Sequence, residues 1–387
     1  MKRGMGTIAV LFVGLLCLWH SPIARSALIS PHPPRILFIS PTYADHPFWR
    51  LVEQQMHYAA ADFGFELNVE YGNDSPLRVT RLAIQALDQP QPPDFLLLQF
   101  NGPVMPTLLP QIERHDVRLI TFNSPPSPQV QARIGQPGTL YRHWLAHLWP
   151  DDQLAGRLEA EALLRQAQQR WPNRQHTLLA FNGARSDISL VAQHRGEGLR
   201  QAIAAVPTAR LAQEFAGYWN ADKATHPLQG ALQRYPDARV LWSGSDEIAL
   251  RLRELLIAEG KPLDEYLIAG IDATPQGLAA SAQGQLVTTV GGHFMEGAWC
   301  MVLIYDYLQQ HQLPANRFMT AMYAFDRQGI GQLRQLQQSA GFSRLDYHVF
   351  SYSHFRQRHG EVAAWHGYPF DWPAVLQQAR EQHLLSE

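Results

Sequence analysis

The sequence predicts an α/β fold made of two doubly wound lobes, in which each parallel sheet is covered by helices on both faces. Short continuous apolar runs alternate with amphipathic helical stretches between residues 36 and 271. An uninterrupted apolar run is typical of a parallel strand that is buried on both faces. The alternation loosens near Pro150-Asp151-Asp152 and then resumes. The chain has 387 residues, which suits two domains of about 100–200 residues each.

The first half of the chain carries four strand signals. Residues 36–39 form an apolar run that ends at Ser40-Pro41, and residues 48–61 have apolar side chains at helical spacing until Phe63-Gly64. The same pattern predicts, in order, a strand at 67–69, a helix at 79–87, a strand at 95–98, a helix at 104–112 and a strand at 119–122.

The second half repeats the alternation. It predicts, in order, a helix at 154–167, a strand at 178–181, a helix at 191–205, a strand at 209–215, a helix at 227–234, a strand at 240–242, a helix at 248–258 and a strand at 267–271. In open parallel sheets the ligand crevice lies beyond the carboxyl ends of the strands. The loops that follow these strands are therefore where binding residues are expected.

Composition excludes two classes of protein. Apolar residues make up 46% and charged residues 17% of the chain, which is the balance of a globular protein and not of a disordered one. Lys and Arg number 32 against 34 Asp and Glu, for a net charge of −2. Binding to a nucleic-acid backbone needs a basic excess, so no nucleic-acid partner is expected.

The N-terminus has the layout of a secretory signal peptide. Lys2 and Arg3 precede an apolar run over residues 8–19, and the small residues Ala24 and Ser26 follow it. The run is shorter than the roughly 20 residues that span a bilayer. We therefore predict a signal peptide over residues 1–26, cleaved after Ser26, and export to the periplasm. Cys300 is then the one cysteine left, so no internal disulfide is expected.

The common enzyme and cofactor motifs are absent from the sequence. The chain lacks a phosphate-binding loop, a dinucleotide glycine fingerprint, a His-Glu-x-x-His element and a Gly-x-Ser-x-Gly elbow. The histidines near the C-terminus do not have a zinc spacing, so neither a metal ion nor a cofactor is expected. Asp246 and Asp272 both follow predicted strands and would form an acid/base pair if they met. The sequence leaves open whether they do.

Six elements in order resemble the type I periplasmic sugar-binding proteins, the ribose- and galactose-binding class. They are Asp45-His-Pro-Phe-Trp49, Thr121-Phe-Asn-Ser124, Arg195-Gly-Glu-Gly198, Trp219, Ser245-Asp-Glu-Ile-Ala-Leu250 and Gly270-Ile-Asp-Ala-Thr-Pro275. The resemblance runs over residues 35–325. It implies two parallel-sheet lobes joined by a multi-segment hinge, the type I periplasmic binding protein fold.

The resemblance also implies a division of the chain beyond the signal peptide. The N-terminal lobe is expected to comprise residues 34–150 plus about 293–322, and the C-terminal lobe residues 151–292 plus about 323–340. Residues 341–387 continue past the usual end of the family and are expected to form a C-terminal extension.

A sugar site between the lobes is the next implication of the resemblance. A sugar ring has apolar faces and a polar rim, so aromatic rings suit its faces and charged or amide groups suit its edge. Phe48, Trp49 and Trp219 would cover the faces. Asp272 and Arg195 would supply charge-assisted hydrogen bonds. The other implied contacts are His46, Gln99, Asn123, Ser245 and His293.

The expected function is that of a periplasmic solute-binding receptor for a sugar or a related polyol, without catalysis. The receptor would be a monomer that closes on its ligand and presents the closed form to an inner-membrane partner, which is an ABC permease or a sensor kinase or cyclase. Asn123-Ser124 in place of an Asp-Arg pair, together with the extension, resembles the longer sensory members, such as the periplasmic autoinducer receptor of quorum sensing. The alternative is a secreted α/β enzyme that acts on a carbohydrate-like substrate.

Overall fold

A computed structural model describes residues 32–184, 189–360 and 363–385 of the chain. Its strands are β1 (Arg35–Ser40), β2 (Glu66–Tyr71), β3 (Phe95–Gln99), β4 (Arg118–Phe122), β5 (Trp144–Pro150), β6 (His176–Asn182), β7 (Ala209–Ala216), β8 (Val240–Ser243), β9 (Leu267–Ile268), β10 (Gly270–Ile271), β11 (Thr289–Gly291), β12 (Arg317–Thr320) and β13 (Tyr323–Ala324). The signal peptide predicted over residues 1–26 lies outside the described residues and stays a prediction.

The helices alternate with these strands along most of the chain. They are α1 (Pro47–Phe63), α2 (Pro76–Leu87), α3 (Met105–His115), α4 (Pro128–Ile134), α5 (Asp152–Arg170), α6 (Val191–Ala204), α7 (Ala221–Thr225), α8 (Leu228–Arg234), α9 (Asp246–Ala258), α10 (Pro275–Ala282), α11 (Glu296–Gln310), α12 (Arg327–Gln338), α13 (Tyr352–His359) and α14 (Trp372–Glu381). Single 3₁₀ turns lie at Leu263–Glu265, His293–Met295, Phe342–Arg344 and Tyr347–Phe350.

The strands form three sheets. The first has six strands in the order β12-β5-β4-β3-β1-β2, and every neighbouring pair in it is parallel. The second has four parallel strands in the order β7-β6-β8-β9. In the third, β10 is parallel to β11 and β13 is antiparallel to it. Parallel sheets flanked by helices confirm the predicted α/β class.

Each apolar run identified in the sequence lies in a strand, with one correction. The prediction of a single strand at residues 267–271 is wrong, because Leu267–Ile268 pairs with β8 whereas Gly270–Ile271 pairs with β11. The chain passes from the second sheet to the third at Ala269, between these two strands. Strands β5, β11, β12 and β13 carry no long apolar run, since they are short or are interrupted by polar residues such as His147.

The four inner strands of the first sheet, β1, β3, β4 and β5, are buried on both faces, whereas the edge strands β2 and β12 are partly exposed. In β3, Phe95 and Leu97 join one hydrophobic cluster, whereas Leu96 and Leu98 join the cluster on the opposite face. Successive side chains of a strand point to opposite faces, so both faces must be apolar when helices cover both. This burial is the physical reason why the parallel strands appear as continuous apolar runs.

The chain crosses between the first sheet and the other two at three places, after β5, after β11 and between β12 and β13. Two of these crossings touch, because the Asp151 N–H donates to the Thr320 carbonyl at 2.9 Å. The Thr320 hydroxyl in turn donates to Glu296 Oε1 at 2.7 Å. This is the multi-segment connection expected of the fold. The residue boundaries of the two lobes stay a prediction.

Helices α5 and α6 pack backbone to backbone because glycines lie at their contact. A Cβ atom on Gly156 would lie 1.9 Å from the Arg195 carbonyl oxygen, and one on Gly198 would lie 2.0 Å from the Gln153 carbonyl oxygen. No residue with a side chain fits at either distance. The close approach brings the start of α5 next to the middle of α6, which is where the functional site begins.

The C-terminal extension packs on the first sheet and shares its core. Asp306 on α11 accepts the backbone N–H groups of Tyr352 and Ser353 at 2.7 and 2.8 Å, which satisfies the start of α13. Phe370 stacks on Trp299 with their ring centroids 4.8 Å apart. Within the residues that the structure describes, no helix has both the length and the apolar character needed to cross a membrane.

Candidate functional site

Arg195 on α6 is the centre of a buried polar cluster. Its side chain is 3% exposed. Its Nε donates to Asp152 Oδ1 at 2.8 Å and its Nη1 donates to the Gly244 carbonyl at 2.6 Å. Nη1 also lies 3.4 Å from Asp272 Oδ1. Arg195 therefore joins the start of α5, the loop after β8 and the loop after β10, using the fixed fork of donors that only a guanidinium provides.

His293 connects this cluster to the opposite lobe. Its Nε2 lies 3.4 Å from Arg195 Nη2 and 3.4 Å from Asp272 Oδ1. Its ring stacks on Phe48 of α1 with centroids 4.5 Å apart and an interplanar angle of 24°. Burial, together with the positive charge of Arg195, lowers the pKa of His293 to about 3. The imidazole is therefore neutral at any physiological pH, and it can donate and accept hydrogen bonds at the same time.

Trp219 forms an aromatic wall over the guanidinium. Its ring centroid lies 5.5 Å from Arg195 Cζ, which is cation–π distance. Its approach requires a glycine beneath it, because a Cβ atom on Gly183 would lie 2.4 Å from Trp219 Cε2. The side chain remains 37% exposed. Part of the aromatic surface of Trp219 is therefore accessible and not packed in the core.

Asp272 and Asp246 lie close enough to influence each other. Burial raises the pKa of Asp272 despite the neighbouring Arg195, and burial plus repulsion from Asp272 raises the pKa of Asp246. Asp246 accepts the Thr274 N–H at 2.8 Å, the Thr274 hydroxyl at 2.9 Å and the Thr289 hydroxyl at 2.7 Å. Its oxygens thus hold the loop that carries Asp272, an arrangement suited to positioning that loop.

Asn123 and Gln99 form a second polar group at the end of the first sheet. The Gln99 amide Nε2 donates to Asn123 Oδ1 at 3.3 Å. Glu296 lies behind them and is fully buried. Burial raises the pKa of Glu296 to about 8, although hydrogen bonds from the Thr320 hydroxyl and the Asn123 N–H oppose the shift. A protonated Glu296 therefore supports this edge at neutral pH without adding a negative charge.

Several of the predicted residues occupy unusual backbone conformations. Asn123, Trp219 and Asp272 have φ angles of 71°, 59° and 123°. Such angles are costly for residues with a side chain and persist where the surroundings enforce them, most often at functional sites. All three residues follow strands, in the loops where the crevice of a parallel sheet is expected.

The other predicted residues are placed differently. Trp49 is 6% exposed and packs in the core against Phe38 and Phe122, with its ring edge-on to Phe48 at 5.3 Å. It thus supports Phe48 from the core side. His46 and Ser245 cap helices, since the His46 ring accepts the Trp49 N–H and Ser245 Oγ accepts an N–H of α9. The structure gathers Phe48, Arg195, Trp219, Asp272 and His293 into one contact group.

Four residues of this region were not among the predicted contacts. Asp152 gives Arg195 its shortest ion pair, Gly244 offers it a carbonyl, the Glu296 carboxyl group accepts the Asn123 N–H, and Glu247 faces His46. Two of them carried a usable signal, since Asp152 is an acidic residue at the first position of a helix and Glu247 belongs to the family element at residues 245–250. The described residues contain no cluster of three His, Cys, Asp or Glu side chains that could hold a metal ion.

The fold and the site together define a two-lobed α/β binding protein whose charged and aromatic groups meet where the lobes join. A family model described as "Periplasmic binding protein domain" matches residues 36–312. The chain belongs to the periplasmic binding protein family, in its type I sugar-binding class. This membership confirms the resemblance seen in the six sequence elements, and the family is one of binding proteins.

Individual relatives agree with this assignment. The ribose import binding protein of Salmonella typhimurium is 33% identical over 99 residues, which are 26% of this chain and 32% of that protein. The chain thus spans about a third of the length of the curated relatives it matches. A periplasmic sugar-binding protein from Pseudomonas fluorescens superposes with a TM-score of 0.75 at 26% identity, over 88% of this chain and 99% of that one.

A third comparison shows the fold alone. An ABC transporter solute-binding protein from Actinobacillus succinogenes, solved with bound D-allose, has a TM-score of 0.68 at 14% identity. The match covers 77% of this chain and 99% of that chain. Nearly all of the allose-binding protein therefore has a structural counterpart here, whereas part of this chain has none there.

Proposed function

We propose that this protein is a periplasmic receptor that binds a sugar or a sugar-like polar molecule between its lobes and closes on it. One observation carries the proposal. Arg195 and Asp272 from the second lobe meet His293, which stacks on Phe48 of the first lobe. A buried charged pair that touches groups of both lobes is suited to a ligand that both lobes must hold.

The chemistry of the contact group favours a polyhydroxylated ligand. The carboxylate of Asp272 can accept hydrogen bonds from two neighbouring hydroxyls, and a guanidinium can donate to others. Phe48 and Trp219 offer flat rings to the apolar faces of a sugar. Gln99, Asn123, His46, Ser245 and Trp49 complete the proposed site, as direct contacts or as supports for them. The neutral His293 adds a donor and an acceptor without a charge.

Closure is the proposed output of binding. Contacts that exist only when both lobes hold the ligand shift the population toward the closed form. A membrane partner then recognises that form, as an ABC permease for import or as a sensor kinase or cyclase for signalling. The signal peptide expected from the sequence and the family membership support a periplasmic location, and the ribose import relative supports a sugar ligand.

Calorimetry with a panel of sugars tests the binding step. D-ribose, D-allose and D-galactose are titrated into the protein, into Asp272→Asn and into Asp264→Asn. Asp264 is an exposed carboxylate on a surface turn of the same lobe, so its variant matches the charge change away from the site. We expect binding of at least one sugar, its loss in Asp272→Asn and its retention in Asp264→Asn. Wild-type affinity in Asp272→Asn would contradict the site.

Ligand recovery separates a receptor from an enzyme. After incubation with the protein and removal of it, the bound sugar is expected to return unchanged by NMR. Conversion of the sugar would instead favour the secreted carbohydrate enzyme. Import and signalling can be distinguished in the cell. A strain in which the gene is deleted loses uptake of the ligand if the partner is a permease and keeps uptake if the partner is a sensor.

A further inference from the structure

Two side-chain contacts join the lobes outside the Arg195 cluster. The Ser124 hydroxyl, which follows β4, donates to Ser189 Oγ at 3.1 Å. His46, which precedes α1, places its Nε2 3.5 Å from Glu247 Oε2 in the first turn of α9. Each contact runs from a loop that follows a strand of the first sheet to a residue that follows a strand of the second sheet, in a loop for Ser189 and at the start of α9 for Glu247. The structure therefore shows the two lobes in direct contact at these strand ends.

The capping role of His46 settles which of its ring nitrogens carries the proton. The Trp49 N–H points at Nδ1 of His46, 3.5 Å away, so Nδ1 must present its lone pair. Burial lowers the pKa of His46 to about 4, which leaves the ring neutral near pH 7. A neutral ring with an accepting Nδ1 has its proton on Nε2. This protonated nitrogen is the one that lies 3.5 Å from Glu247 Oε2.

We propose that His46 and Glu247 form an interlobe latch, a contact that stabilises the closed form whether or not a ligand is bound. Both ring nitrogens of His46 are then engaged by protein, one by the helix cap and one by the opposite lobe. His46 consequently acts on closure and is a positioning residue, not a ligand contact. The latch deepens the proposed function and rests on it, because it sets how far the empty receptor is already closed.

Three variants isolate the latch. His46→Asn keeps a good helix cap but has no atom that reaches Glu247. Glu247→Ala removes the acceptor, whereas Glu247→Gln keeps an acceptor oxygen in its place. Glu254→Ala is the matched control, because Glu254 is exposed on the same helix and pairs with Arg251.

Closure is measured in the unliganded protein by the distance between two spin labels. Leu77→Cys and Ile257→Cys supply the attachment points, since these side chains are 84% and 50% exposed and belong to different lobes. The native Cys300 is fully buried and does not compete for label. Each latch variant is made in this labelled background, and the fraction of short distances gives the closed population.

We expect His46→Asn and Glu247→Ala each to lower the closed-to-open ratio about three- to tenfold, the range of one net hydrogen bond. Their double variant should equal the single variants, because each removes the same contact. Glu247→Gln and Glu254→Ala should stay near the wild-type ratio. Where a sugar binds, the two latch-breaking variants should release it faster by the same factor.

Two results would overturn the latch. One is an unliganded closed population that none of the variants changes. The other is loss of sugar binding in His46→Asn with normal binding in Glu247→Ala, which would make His46 a ligand contact. Failure of the proposed function is a separate outcome, because it would appear as no binding of any sugar while the unliganded distances still respond to the variants.

Discussion

Replacing Arg195 by Met tests how far the buried ion pair between α6 and α5 supports the fold. Arg195 is 3% exposed and Asp152 is 1% exposed, and 2.8 Å separates their charged atoms. Removing one partner of a buried pair leaves the other charge uncompensated and costs about 3–5 kcal/mol. At this chain length an unfolding entropy of about 2.1 cal/mol/K per residue makes each kcal/mol correspond to about 1.2 °C. We therefore expect the Tm of Arg195→Met to fall by about 4–6 °C in calorimetric scans.

A second substitution separates charge from packing. Burial already raises the pKa of Asp152 even though Arg195 opposes it, so a neutral residue at position 152 relieves the cost. The double variant Arg195→Met/Asp152→Asn should recover most of the lost stability while sugar binding stays absent. Arg200→Met is the control on the same helix, because Arg200 pairs with Glu214 at a more exposed site and such pairs contribute about 0–1 kcal/mol.

The reasoning would be refuted by an Arg195→Met protein that melts within about 1 °C of the wild type, on the same scale of about 1.2 °C per kcal/mol. It would also be refuted if the double variant were less stable than the single one. In the first case the pair would contribute no more than a surface ion pair. In the second, the guanidinium would act through packing and not through its charge.

Two further predictions follow from single contacts. Gly198→Ala should destabilise the protein by about 1–3 kcal/mol in urea unfolding and weaken sugar binding, because its Cβ would meet the Gln153 carbonyl at 2.0 Å. Asp306→Ala should lose about 1–3 kcal/mol, since two backbone N–H groups of the extension lose their acceptor, and limited proteolysis should then cut the extension first.

Controls exist for both of these predictions. A Cβ atom on Gly230 would meet nothing within 4 Å, so Gly230→Ala should leave stability unchanged or raise it. A Gly198→Ala protein as stable as Gly230→Ala would show that α5 and α6 can separate freely. An Asp306→Ala extension that resists protease as the wild type does would show that packing of Phe370 on Trp299 is sufficient to hold it.

Local patterns in the sequence determined the class of fold. A parallel strand covered on both faces must be apolar at consecutive positions, so residues 95–98 and 178–181 were recognisable without any tertiary information. The order of the six family elements was equally accessible, because each is a short contiguous segment. The prediction of one strand at residues 267–271 was wrong because it needed tertiary information. An apolar run does not show which of two sheets each of its residues joins.

Only the tertiary structure showed which neighbours each site residue contacts. Phe48 and Trp49 are adjacent in sequence and are both 6% exposed, but a helix turns about 100° per residue, so Phe48 stacks on His293 whereas Trp49 packs on Phe38. Asp152 pairs with Arg195 across 43 positions because two glycines let their helices touch.

His46 shows the same limit in a single residue. Its place in a family motif indicates a ligand contact, which stays a prediction, and only the structure shows that its two ring nitrogens lie near a helix end and a carboxylate of the other lobe. The sequence of a segment gives the chemical groups that it carries, and the periodicity gives the side of the helix or strand on which they lie. The residues that those groups contact in other elements depend on how the elements pack together. That packing cannot be read from the sequence pattern of a single segment.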